Sequence, residues 1–186
     1  MGLFDFFKKK QTEKKNTLEN YNLPYFGEIN INKLEEYYSA NFEMNNETIQ
    51  TDLNFENNKI EKHVIAQIET FLINVDNFDK TNKLYIEKDF NESGETLEYI
   101  NFYLEEFDEN ELSKLIDLDN EIILANIQLL KKLKLIRVGL YPDRKYGTDY
   151  FATFDYSIEI DGEPCNQLLV VNTDEKGNLH NIIWES

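Results

Sequence analysis

The chain has 186 residues, 41% of them hydrophobic, a net charge of −17 and one cysteine. That length suits a single domain, and 11 Tyr and 13 Phe supply enough burial area for a core without a disulfide or metal. One cysteine excludes an intramolecular disulfide framework, and no apolar run reaches the length of a membrane span, so integral membrane association is not expected.

Residues 1–22 read as a basic N-terminal tail, with an apolar tip at Leu3, Phe4, Phe6 and Phe7 followed by lysines. The apolar residues precede the lysines, the reverse of a signal peptide, and Phe6 stands where the myristoylation pattern requires Ser or Thr. The expected location is therefore cytoplasmic. The tip is either a short lead or a weak anchor for a membrane surface or a partner.

Pro24 opens a single domain over residues 23–186. Tyr25 to Ile31 is a short mixed strand. Tyr37 to Met44 and Thr48 to Phe55 flank Asn45-Asn46-Glu47, whose asparagines tolerate positive φ, and this predicts a hairpin. From Lys59 to Phe78 the apolar residues Ile60, Val64, Ile65, Ile68, Phe71, Leu72 and Val75 follow helical spacing. A further segment covers Thr81 to Phe90. Another helix opens near Ser93, with Leu97, Ile100, Tyr103, Leu104 and Phe107 on one face. Asp119 or Asn120 caps the next, which carries Ile123, Ile127 and Leu130.

The remainder reads as strand. Leu133 to Tyr141 ends at Pro142. Tyr150 to Ile160 puts Ala152, Phe154, Tyr156, Ile158 and Ile160 on one face, the expected core side, and Thr153, Asp155 and Ser157 on the other. Asp161-Gly162 turns into Asn166 to Thr173, and a second turn leads to Leu179 to Trp184. Strands, then helices, then strands predict an α+β fold. The expected architecture is a two-layer sandwich: an antiparallel sheet, made of the N-terminal hairpin and a C-terminal four-strand meander, with helices on one face.

The runs Leu135-Ile136-Arg137-Val138-Gly139-Leu140-Tyr141-Pro142-Asp143, Phe154-Asp155-Tyr156-Ser157-Ile158 and Leu168 to Gly177 resemble an uncharacterised bacterial family of unknown function. The resemblance is best over the last third of the chain. It implies a two-layer α/β sandwich and no activity, and it offers no catalytic residue.

Chemistry-bearing motifs are few. His63 and His180 stand far apart in sequence, and there is no Cys-x-x-Cys, so no metal site is assigned. Asp117-Leu118-Asp119-Asn120-Glu121 begins like a calcium loop but carries Ile122 where glycine is needed and Gln128 where glutamate is needed. No phosphate loop, dinucleotide fingerprint or nucleophile elbow is present, and Cys165 has no base beside it in sequence. No cofactor is expected.

Charge is laid out unevenly. The first fifteen residues carry five lysines against two acids, a balance of +3, which leaves −20 on the rest. Residues 87–121 hold thirteen acids and two lysines, and residues 131–145 hold six basic residues and one acid. Such a surface repels nucleic-acid phosphate, so no nucleic-acid partner is expected. The acidity serves either solubility or a basic protein partner.

The candidate partner-binding residues are Tyr141, Arg144, Lys145, Tyr146 and Tyr150 in one loop, the acids Glu105, Glu106, Asp108 and Glu109, and Asp155. Three functions follow. The first is a non-catalytic, immunity-like interaction module for a basic partner. The second is a carboxylate-based or metal-assisted enzyme built around Asp155, whose pKa would move if its face were covered. The third is recruitment to a membrane through residues 1–10.

Overall fold

β-Structure starts earlier than the sequence pattern suggests. In the computed structural model, which describes residues 19–185, β1 (Asn20–Leu23) and β2 (Gly27–Asn30) pair as an antiparallel hairpin. The turn is made by Pro24, Tyr25 and Phe26, with Tyr25 at φ 69°. The expected boundary at residue 23 thus falls inside β1, and the expectations for the apolar tip and its lysines lie outside the described residues.

β3 (Tyr37–Met44) and β4 (Glu47–Asn54) form the predicted hairpin. Asn45 and Asn46 take φ of 55° and 66°, the left-handed conformation that a two-residue turn demands.

Five helices follow. The stretch read as one helix from Lys59 and a separate segment from Thr81 divides differently: α1 (Lys62–Ile73) and α2 (Val75–Asn91) meet at Asn74. The Asn74 side chain donates to the Thr70 carbonyl, 2.8 Å, and its amide donates to the Phe71 carbonyl. This side-chain competition for backbone acceptors ends the first helix. The break brings the Phe71 and Phe78 rings to 4.6 Å.

α3 (Glu95–Glu106) takes its first-turn acceptor from α2: the Asp89 carboxylate accepts from the Thr96 amide, 2.7 Å. α4 (Glu109–Leu115), unforeseen from periodicity, starts with a reciprocal capping box between Asp108 and Glu111. α5 (Ala125–Leu130) has Leu124 at its N-cap position. Asn120, expected as the cap, instead accepts from the Ile122 and Ile123 amides in the preceding turn.

The C-terminal strands are β5 (Lys134–Leu140), β6 (Ala152–Ser157), β7 (Glu159–Ile160), β8 (Glu163–Pro164), β9 (Leu168–Thr173) and β10 (Leu179–Glu185). The long strand expected from Tyr150 to Ile160 breaks after Ser157, and β7 pairs with β8 as a small hairpin around Asp161 and Gly162.

The main sheet has six strands in the order β10-β9-β6-β5-β4-β3. β5, β6, β9 and β10 pair in succession as an antiparallel meander. β4 and β5, however, are parallel. The sheet is therefore mixed, which corrects the antiparallel expectation. The reason is the connection: residues 55–133 cross over the sheet before β5, and a crossover of that kind returns the chain in its original direction.

The helices pack on one face. Phe71 of α1 meets Phe154 of β6 at 5.9 Å and Phe151 at 5.3 Å, and Tyr99 and Phe102 of α3 meet Trp184 of β10. Phe55, Ile68, Phe71, Leu72, Tyr99, Ile100, Phe154 and Val171 are fully buried there. Each such side chain contributes about 1.5–3 kcal/mol of burial. The fold is α+β: a mixed six-stranded sheet with helices packed against one face.

Candidate functional site

Strand alternation and register decide what the other face of the sheet carries. Asp52 opposes Gly139, Arg137 opposes Asp155, Gly139 opposes Thr153, and Thr153 opposes Asn172. Asp52, Asn54, Arg137, Thr153, Asp155 and Asn172 therefore share the face away from Phe154 and Tyr156. At its centre Asp52, Asn54, Thr153, Asp155 and Asn172 are buried. Towards its edges Ser39, Asn41, Gln50 and Asn181 are exposed.

Arg137 organises this face. Its Nε and Nη2 donate to the two oxygens of Asp52, 2.6 and 2.9 Å, and Nη1 donates to Asp155, 2.7 Å. Nη2 also reaches the Tyr141 hydroxyl, 3.2 Å, and Asn54 donates its amide to Asp52. A second link runs from Thr153 through Asn172 to Asn181, 2.7 and 3.0 Å. Gly139 leaves the space that the guanidinium fills: a Cβ there would stand 2.5 Å from Nη2.

Burial pushes the Asp155 carboxyl above its ordinary value, with the charge and hydrogen bond of Arg137 pulling against it. Burial also works against the Arg137 charge, but its hydrogen bond to Asp52 and the two carboxylate charges outweigh that and hold it above the ordinary guanidinium value. The cluster is two carboxylates around one permanent cation. Every arm of the arginine fork is engaged, which makes the group a sheet-face brace rather than a free acid or base.

The residues named from sequence separate into three groups. Asp155 lies in the brace, buried, and so offers no exposed contact. Tyr141 is half-buried and belongs to the same group through Arg137. The loop after β5 makes the second group, and within it Lys145 is not a surface contact: it is 7% exposed, and its ammonium donates to the Glu36 carbonyl, 2.8 Å. Arg144 and Tyr146 are exposed, both at φ 63°, while Tyr150 is half-buried edge-on to Tyr141 at 5.7 Å. Asp143 pins the loop by accepting from the Glu56 and Asn57 amides.

Glu105, Glu106, Asp108 and Glu109 form the third group, all exposed, at the C-terminus of α3 and the start of α4. α4 abuts β7, and Lys114 bridges to Asp161 at 2.7 Å. This end follows the last residue of β6, whereas the Tyr141–Tyr150 loop precedes its first. The two surface groups therefore sit at opposite ends of a six-residue strand, about 20 Å apart along it, and the fold does not bring them together.

Among the described residues Lys62, Lys80, Lys83, Lys114 and Lys134 are committed elsewhere, to Glu19, Asp76, Asp79, Asp161, Glu47 and Glu159. Among the described residues no carboxylate from Glu95 to Glu121 lies within 4.0 Å of a cation.

Other chemistry is sparse. Burial raises the Cys165 thiol above its ordinary value, so it stays protonated at neutral pH. His63 is exposed beside Glu61 at 3.2 Å, and His180 pairs with Asp149 at 3.2 Å. Among the described residues no three His, Cys, Asp or Glu side chains cluster to hold a metal, and no helix is long and apolar enough to cross a membrane.

Sequence reasoning placed Asp155 and Thr153 on one face but missed Arg137, Asp52, Asn54 and Asn172 as their surroundings. The available signal was a charged residue in the middle of each of two apolar strands, which calls for a partner across the ladder. No family model, no curated protein and no solved structure matches this chain.

Proposed function

We propose that this is a non-catalytic, cytoplasmic interaction module that binds a basic protein partner through its acidic end, as immunity proteins bind basic toxins. One observation carries the reading: the exposed carboxylates between Glu95 and Glu121 have no cation within 4.0 Å among the described residues, and Lys114, the one basic residue in that stretch, pairs with Asp161 instead. A patch dominated by one sign speeds association with the opposite sign and rejects like-charged competitors. The enzyme reading loses its main support, because Asp155 is held by Arg137 and has no free partner for proton transfer.

The test is affinity capture with the tagged full chain at low and at high ionic strength, followed by identification of what is retained. The expected result is a basic protein that is released as salt rises. An acidic partner, or one held equally well at both salt concentrations, overturns the reading.

A further inference from the structure

At the acidic end a groove of about 400 Å³ lies between the C-terminal half of α3, α4 and the segment from β7 to β9. One wall is aromatic. Phe102 and Phe107, each half-buried, supply its ring surface, and Tyr103, at 3% exposure, packs against them at 5.1 and 4.7 Å. Cys165 and Gln167 also line it, and Glu106 and Glu111 supply carboxylates.

The groove is negative and otherwise neutral. Tyr103 accepts from the Gln167 amide, 3.0 Å, and burial pushes its hydroxyl up to about 12, so it carries no charge at neutral pH. Glu111 commits one oxygen, Oε2, to the Asp108 amide and keeps the other. Neither Glu106 nor Glu111 has a cation within 4.0 Å among the described residues.

Aromatic faces beside unpaired carboxylates complement a flat, delocalised cation. A guanidinium stacks on rings and donates in a fork to carboxylates, whereas an ammonium is a compact, strongly hydrated charge. We propose that this groove receives an arginine side chain of the basic partner and anchors the complex. The proposal rests on the basic-partner reading above and adds to it a place and a residue type. Arginine and aromatic residues are the side chains that dominate binding energy at such interfaces.

Trp184, the only tryptophan, reports on the groove: its indole donates to Gln167 Oε1, 2.9 Å, and its ring lies 5.0 Å from Phe102. The experiment titrates the full chain, at low salt, with three otherwise identical Gly/Ser peptides carrying three arginines, three lysines or three citrullines. Trp184 fluorescence follows binding. The expected result is saturable binding of the arginine peptide, weaker binding of the lysine peptide by about fivefold or more, and none of the citrulline peptide.

Glu106→Gln is expected to weaken the arginine peptide by about fivefold, and Glu95→Gln with Glu98→Gln, outside the groove, by less than about twofold. Thermal melts check that each variant is folded; Glu106, being exposed, tolerates the change. Equal binding of arginine and lysine peptides, or equal losses from both sets of substitutions, overturns the anchor while leaving the basic-partner reading intact. Failure of every basic peptide to bind overturns both.

Discussion

Arg137 grips Asp52 with two nitrogens and Asp155 with a third, and so ties together three adjacent strands of the sheet. β4, β5 and β6 are also the strands across which the pairing changes from parallel to antiparallel. Arg137→Met leaves two buried carboxylates without their cation, and the expected loss is about 3–5 kcal/mol. Arg137→Lys recovers only part of it, because an ammonium cannot reproduce the fork. Urea denaturation of the three proteins at neutral pH measures both values.

The brace carries a pH signature. Asp155 has a raised pKa in the folded state, so the folded chain holds its proton at pH values where the unfolded chain, with an ordinary value of 3.8, has lost it. The contribution of this group to stability is therefore fully present below 3.8 and declines as pH rises through the folded-state value. Asp155→Asn removes that dependence. Denaturant unfolding of the wild type and the variant from pH 3.5 to 7 should show their stability difference moving in the variant's favour as pH rises. A pH-independent difference contradicts it.

Gly139 opposes both Asp52 and Thr153, and its missing side chain is the space into which the guanidinium folds. Gly139→Ala is a favourable change for an ordinary strand, since glycine there costs conformational entropy. Here the new methyl displaces Arg137 Nη2 from Asp52. The expected outcome is destabilisation of about 1–3 kcal/mol, and it should largely vanish in an Arg137→Met background, because the two changes act on one interaction. A double-mutant cycle by chemical denaturation decides this.

On the helix side, the Tyr156 hydroxyl donates to the Asp79 carboxylate, 3.0 Å, and Lys83 holds the other oxygen at 2.7 Å. Tyr156→Phe keeps the ring and removes the donor to a buried charge. The expected cost is about 1.5–3 kcal/mol, the range for hydrogen bonds to charged groups. Thermal unfolding of the two proteins provides the comparison.

The loop after β5 holds Arg144 exposed in the left-handed region at φ 63° and ψ 36°. A non-glycine residue there costs about 1 kcal/mol. Arg144→Gly should raise stability by about 0.5–1 kcal/mol in denaturant melts. If the same substitution also lowers affinity for the captured partner, the strain serves recognition.

The sequence made some of this legible and hid the rest for identifiable reasons. The alternation of Phe154 and Tyr156 with Thr153, Asp155 and Ser157 identified β6 and its inward face, because a strand's period of two is a local property. Asn45-Asn46 identified the β3–β4 turn in the same way. The parallel pairing of β4 with β5 was hidden, since strand direction depends on where a long connection ends and not on any local pattern. The acids of α3 were visible as a run, but α4 was missed: at seven residues it is too short for a clear apolar stripe, and its Asp108–Glu111 capping box was the only mark it left. The brace was half visible. Asp155 stood out mid-strand, but Asp52 and Arg137 come from segments whose adjacency only the folded ladder reveals. Lys145 looked like a surface residue from composition and is buried by its bond to the Glu36 carbonyl.

The parallel junction of β4 and β5 also sets an order of events in folding. The β3–β4 hairpin and the β5-β6-β9-β10 meander each close through short connections, but joining them requires the ends of residues 55–133 to meet. Loop closure of that span is slow compared with hairpin formation. During synthesis the hairpin and the helical layer emerge before β5, so one edge of β4 waits without its ladder partner. The interface that Asp52 and Arg137 clasp is therefore expected to form late, and stopped-flow refolding of Arg137→Met checks this: an unchanged folding rate with faster unfolding is the expected result.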